Sequence, residues 1–271
     1  MCTPKEPHYF SEDFKAFSFI NTLDAYQSLF KERKKNHKVA GEASVWYLYS
    51  ENAIENIYNY NKDARIIVML RNPIDLFQSL HQNFLNIGFE DKEDLKEAWD
   101  YQARRKKGEN IPKYCPEPNL LQYKKVIKLG DQVEKLCSIF PEKQIKFITF
   151  DDFITQTENT YKSILSFLDL KYDNRIDFPI INQRRKSKIK MLNTCLLSPP
   201  KYIKNLWKLL KSIFGNDIVK LADKVILLNS RKIVDRKDIS LNFREEIKKE
   251  IKLDIVKLSS IINKDLNFWL K

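Results

Sequence analysis

Five residue types sit in this sequence at spacings that could hold an anion or move a proton. Arg71 follows the apolar run Ala64-Arg65-Ile66-Ile67-Val68-Met69-Leu70 and precedes Asn72, Pro73 and Asp75. Asn suits a helix N-cap, Pro the first helical position and Asp the first turn, so the run predicts a buried strand that passes straight into a helix. Arg71 then stands at the carboxyl end of a strand, where open α/β sheets bind ligands. Ser79 lies seven residues after Asn72, close to two helical turns, so its hydroxyl is expected on the same face. A guanidinium and a hydroxyl so placed could clamp a phosphate. An arginine at a strand end serves an exposed ion pair equally well.

A second pair is Glu6 and His8. Pro7 favours extended backbone at Glu6, and in an extended segment both side chains point to one side. A carboxylate beside an imidazole could take the proton of an attacking hydroxyl, an effect of roughly 10²–10⁴ in rate. Arg184 and Lys186, in the basic stretch Asn182–Ser187, are further candidate phosphate contacts, although a solvated basic loop accounts for them as well.

The balance of charge agrees with an anionic ligand: 48 Lys and Arg against 36 Asp and Glu give a formal charge of +12. No helix-turn-helix, RNA-recognition or zinc pattern accompanies it, so a nucleic acid is not the expected partner. Cys2, Cys115, Cys137 and Cys195 form no C-x-x-C pair and have no His at ligand spacing, which argues against a metal site or a disulfide framework and for reduced thiols in the cytoplasm. No apolar run approaches the roughly 20 residues needed to cross a bilayer, so no transmembrane segment is expected.

The elements that must position these residues follow from periodicity. Lys38–Gly41, Ala64–Leu70 and Gln144–Phe150 read as strands, and residues 73–84, 122–140 and 156–168 space apolar residues as helices lying on a sheet do. Their alternation predicts an α/β fold, a three-layer parallel sheet with flanking helices. Residues 86–120 are polar and read as an insertion with one short helix near 91–106. Residues 198–271 are helical in pattern, over Pro200–Phe214 and Leu241–Ile262, and nothing divides residues 1–271 into more than a single domain.

The segment Arg71-Asn72-Pro73-x-Asp75-x-x-x-Ser79 resembles the 3'-phosphate-binding element of the sulfotransferases that use 3'-phosphoadenosine 5'-phosphosulfate. Lys5-Glu6-Pro7-His8-Tyr9-Phe10 resembles the K-E-P-H-[FY]-F segment of glycan sulfotransferases, and Gly41-Glu42-Ala43-Ser44-Val45-Trp46-Tyr47-Leu48 the G-E-x-S-x-x-Y-L segment of bacterial relatives. Tyr123–Phe153 and the closing Asp265-Leu266-Asn267-Phe268-Trp269 are similar to later family segments, in family order. The resemblance implies a P-loop nucleotide-binding type of fold. It implies Arg71 and Ser79 on the 3'-phosphate, Arg184 and Lys186 as further nucleotide contacts, Glu6 as general base and His8 beside it.

By the same resemblance the nucleotide is the sulfuryl donor, and the acceptor is a hydroxyl or amine of a carbohydrate-like molecule. The family opens with a strand, a Lys- and Gly-containing loop and a helix, about 25–35 residues in all. Gly41, Gly88, Gly108, Gly130 and Gly215 supply no such K-x-G-[ST] loop, so the chain reads as truncated at its N-terminus, and a non-catalytic binding protein is the alternative to an enzyme. The first strand of the family lies between the other two, so its loss is expected to leave Ala64–Leu70 and Gln144–Phe150 apart. The slot would be one strand wide, with the two segments near twice the usual ~4.8 Å spacing.

Overall fold

In the computed structural model, residues 2, 5–14, 16–179, 185–187, 225, 228, 230–232 and 239–271 are described. Along the chain they form α1 (Leu23–Ser28), α2 (Ala53–Tyr60), β1 (Ile66–Leu70), α3 (Pro73–Ile87), α4 (Leu95–Asp100), α5 (Gln102–Lys106), α6 (Tyr123–Val126), α7 (Leu129–Ile139), β2 (Ile145–Thr149), α8 (Phe150–Thr155), α9 (Thr157–Phe167), β3 (Arg185–Ser187), β4 (Ser230–Lys232) and α10 (Leu241–Ile261). The architecture is α/β with a small parallel sheet, β1 against β2, and a short antiparallel pair, β3 against β4.

Two of the three β-branched runs become strands and the third does not. Lys38–Gly41 is exposed and irregular. Cys2 donates its N–H to the Gly41 carbonyl at 2.9 Å, and among the described residues no strand lies alongside to continue a ladder. Apolar pattern without a neighbouring edge does not make a strand, because the backbone groups have no partner inside the sheet.

The expected slot is absent. β1 and β2 pair directly in parallel, from Ile66 opposite Ile145 to Leu70 opposite Thr149. Two edges that would each carry unpaired N–H and C=O groups satisfy one another instead.

The expected helix over 122–140 is divided into α6 and α7, and a long-range contact holds the start of the second. The N–H groups of Gly130 and Asp131, in the first turn of α7, donate to the Asp254 carboxylate on α10 at 2.8 and 2.9 Å. A Cβ on Gly130 would stand 2.4 Å from the Asp254 carbonyl oxygen, so glycine is what lets α10 come this close. Burial raises the Asp254 carboxyl above its ordinary value, against the two N–H groups that lower it.

The described residues fall into two compact units, the first from Met1–Pro73, Lys125–Pro179 and Lys248–Lys271, the second from Ile74–Lys124 and the described part of Ile180–Ile247. In the first, Phe10, Ile20, Tyr26, Tyr47 and Ala53 form an apolar cluster, and Tyr9 stacks on Tyr26 at 4.8 Å. In the second, Phe77 packs on Tyr123 at 4.9 Å and on Trp99 at 5.3 Å, and Phe243 meets Trp99 at 5.8 Å. The polar stretch 86–120 has a fully buried ion pair, Glu90 with Arg105, both side chains at 0% exposure. The helix expected over Pro200–Phe214 lies outside the described residues.

Candidate functional site

Glu6, Pro7 and His8 do not run extended. Glu6 has φ 55° and His8 φ 50°, a left-handed conformation on both sides of the proline. Such values cost a side-chain-bearing residue on the order of 1–3 kcal/mol and persist where surrounding bonds enforce them. Here His8 donates its N–H to Ser44 Oγ at 3.1 Å, Ser11 Oγ donates to the His8 carbonyl at 3.0 Å, and Ser18 Oγ donates to the Pro7 carbonyl at 3.3 Å. The folded-back turn still brings the two side chains together, with His8 Nε2 3.6 Å from Glu6 Oε2. The imidazole is 4% exposed and the carboxylate 53%, so the pair has one end in the protein and one in solvent. Among the described residues, the buried His8 Nδ1 has no hydrogen-bond partner.

Beneath the turn lies a carboxylate to which the sequence reading gave no role. Glu42 accepts from Tyr47 Oη at 2.8 Å, Ser44 Oγ at 2.9 Å and Tyr26 Oη at 3.3 Å. Burial raises its carboxyl above the ordinary 4.5, and the three hydroxyls and His8 oppose that rise without cancelling it. Ser44 links this carboxylate to the His8 backbone. The spacing Glu42, Ser44, Tyr47 was visible as part of a matched segment, but only the fold brings Tyr26 to the same oxygen.

Arg71 leaves the carboxyl end of β1 and lays its guanidinium 4.9 Å from the centre of the Phe150 ring, at the end of β2. The residue after each of these two reaches the C-terminal segment. Asn72 donates to the Trp269 carbonyl at 3.3 Å, and Trp269 Nε1 donates to Asp151 Oδ2 at 2.9 Å. Lys264 donates to Thr149 Oγ1 at 3.1 Å and pairs with Asp152, whose carboxyl it holds below the ordinary range. Trp269 is 2% exposed and Leu266 is fully buried.

Ser79 is half-buried on α3 and belongs to the second unit, whereas Arg71 belongs to the first. Lys186 lies in β3 with Arg231 of β4 opposite it, and its side chain is outside the described residues, as is the whole of Arg184. The structure therefore joins Glu6 to His8 and adds Glu42 to them. Among the described residues, no group of three or more His, Cys, Asp or Glu side chains is placed to hold a metal ion. No described helix is long and apolar enough to cross a membrane.

Residues 4–198 match the sulfotransferase domain family. The fold is similar to the crystal structure of a sulfotransferase from Alicyclobacillus acidocaldarius, with a TM-score of 0.70 at 20% identity, over 100% of this chain and 87% of that one. No curated protein sequence matches the chain.

Proposed function

The chain belongs to the sulfotransferase domain family, and on that premise we propose that it moves a sulfuryl group from 3'-phosphoadenosine 5'-phosphosulfate to a hydroxyl or amine of a carbohydrate-like acceptor. The observation that carries this reading is the Glu6–His8 pair, held on a left-handed turn with the imidazole buried and the carboxylate open to solvent.

In this reading Glu6 takes the proton of the acceptor as the acceptor's oxygen or nitrogen bonds to sulfur. The sulfur–oxygen bond to the 5'-phosphate breaks, and the nucleotide departs as the 3',5'-bisphosphate. His8, at 3.6 Å, fixes the direction of the Glu6 carboxylate. Arg71 and Ser79 take the 3'-phosphate, with Arg184 and Lys186 as additional charges for the nucleotide. Reduced thiols at Cys2, Cys115 and Cys137 suit a cytoplasmic setting.

Transfer of radiolabelled sulfate tests the assignment. Glu6→Gln should lower turnover by roughly 10²–10⁴ and leave binding of adenosine 3',5'-bisphosphate unchanged. Arg71→Ala should weaken that binding about 10- to 100-fold in calorimetry, as expected for a lost charged hydrogen bond. Wild-type turnover in Glu6→Gln removes the base, and unchanged affinity in Arg71→Ala removes the clamp. The direct pairing of β1 with β2 favours a second reading, in which the chain binds the nucleotide without turning it over. Intact nucleotide affinity with turnover at background would select it.

A further inference from the structure

Arg71 and Phe150 are successors of a paired couple: Leu70 and Thr149 are opposite one another at the end of the β1–β2 ladder, and each chain then takes one more step. The guanidinium rests on the ring at 4.9 Å. One residue further, Asn72 and Asp151 both reach Trp269, one through its carbonyl and the other through its indole N–H. A single buried residue thus cross-links the two strand ends immediately behind the arginine. Lys264 ties the same C-terminal segment to Thr149 and Asp152, so the link is anchored at both ends of that segment.

From this geometry we infer that Trp269 is a positioning residue for the anion site at Arg71: it fixes the separation of the two strand ends and thereby the place where the guanidinium meets a 3'-phosphate. The inference rests on the reading of Arg71 as the 3'-phosphate contact. An indole is suited to the task. It fills the space under the strand ends, and its one N–H gives a direction that a phenyl ring lacks. The Asp151 carboxylate makes that bond a charge-assisted one.

The test compares two nucleotides that differ only in the 3'-phosphate, adenosine 3',5'-bisphosphate and adenosine 5'-phosphate, by calorimetry on the full chain. Trp269→Phe keeps a buried ring and deletes the N–H, and Asp151→Ala breaks the same bond from the other side. Each should weaken the bisphosphate about tenfold and leave the monophosphate within about twofold. In an Arg71→Ala background neither change should weaken the bisphosphate further. Equal losses for both nucleotides would mean a general loosening and would overturn the inference, as would no loss at all. If the wild type binds neither nucleotide, the assignment of Arg71 to the 3'-phosphate fails. The positioning role is then decided by the Arg71 Nε–Hε signal in NMR, identified by its absence in Arg71→Lys. A shift of that signal in Trp269→Phe sustains the role, and an unmoved signal ends it.

Discussion

Glu90 in the second unit and Glu42 in the first are both carboxylates drawn away from water, Glu90 fully and Glu42 in part, and they differ further in the donors they meet. Glu90 receives both terminal nitrogens of Arg105, at 2.5 and 2.6 Å, together with Tyr123 Oη at 2.7 Å and the N–H groups of Asp91 and Lys92 at 2.8 and 2.9 Å. Burial alone would raise its carboxyl; the guanidinium, the Lys92 N–H and Tyr123 together hold it below the ordinary value. Among the described residues Glu42 receives hydroxyls only, and no lysine or arginine forms an ion pair with it. Its carboxyl stays above the ordinary value. Neutral donors can satisfy the lone pairs of a carboxylate without replacing the solvation of its charge. A carboxylate met by a buried cation is held ionised, whereas one met by neutral hydroxyls takes up a proton more readily.

The largest expected effect comes from unmatching Glu90. Arg105→Met leaves a fully buried carboxylate without its cation and should cost about 3–5 kcal/mol in urea denaturation. A loss under about 1 kcal/mol would erase the distinction between the two sites.

The pH dependence sharpens the same contrast, with opposite signs. Glu90 has a depressed folded value, so its contribution to stability is present above 4.5 and is lost as pH falls from there through the lower folded value. Glu42 has a raised folded value, so its contribution is present below 4.5 and is lost as pH rises through the higher one. Relative to Glu90→Gln, the wild type should therefore lose stability below 4.5 as the solution is acidified. Relative to Glu42→Gln, it should lose stability above 4.5 as the pH is raised. Denaturation midpoints of the three proteins between pH 3 and pH 8 give both slopes, and parallel slopes would show that the cation makes no difference.

The smallest effect is expected where a charge is matched in open water. Glu158 and Lys162 are paired one helical turn apart on α9, at 2.7 Å and with both side chains nearly half exposed. Glu158→Gln should leave the melting midpoint where it was, at low and high salt alike. A clear drop would mean that pairing stabilises even in open water, so that burial is not what gives the Glu90 pair its weight.

The sequence disclosed what is periodic and local. Two strands and the helices α3 and α9 follow from runs of apolar residues, and Arg71 falls at the strand end where its neighbours predicted it. The remainder depends on partners far along the chain. Lys38–Gly41 has the composition of a strand and lacks a neighbour among the described residues, and the first turn of α7 finds its acceptor in Asp254, more than a hundred residues away. The Glu90–Arg105 pair leaves no periodic trace, so its segment read as a polar insertion. At the candidate site, Glu6 and His8 were legible as a pair by type and spacing. Their left-handed backbone was not, because the bonds that hold it come from Ser11 and Ser18 further along the same stretch and from Ser44, thirty-six residues after His8. Pro7 by itself argues for the opposite conformation.

The close approach of Asp254 to Gly130 also has a meaning in time. The first unit is assembled from three separated stretches, and the start of α7 acquires its acceptor only when a residue 124 positions later arrives. Closing so long a loop is entropically costly before its contacts form, and chains dominated by such contacts fold slowly. A nascent chain that has emerged only through α9 holds β1 and β2 but has neither Asp254 nor Lys264 and Trp269 to lock them. During synthesis the strand ends around Arg71 therefore stay uncovered until Lys264 and Trp269 have emerged, and the unit commits to its final form after, not during, translation of its sheet.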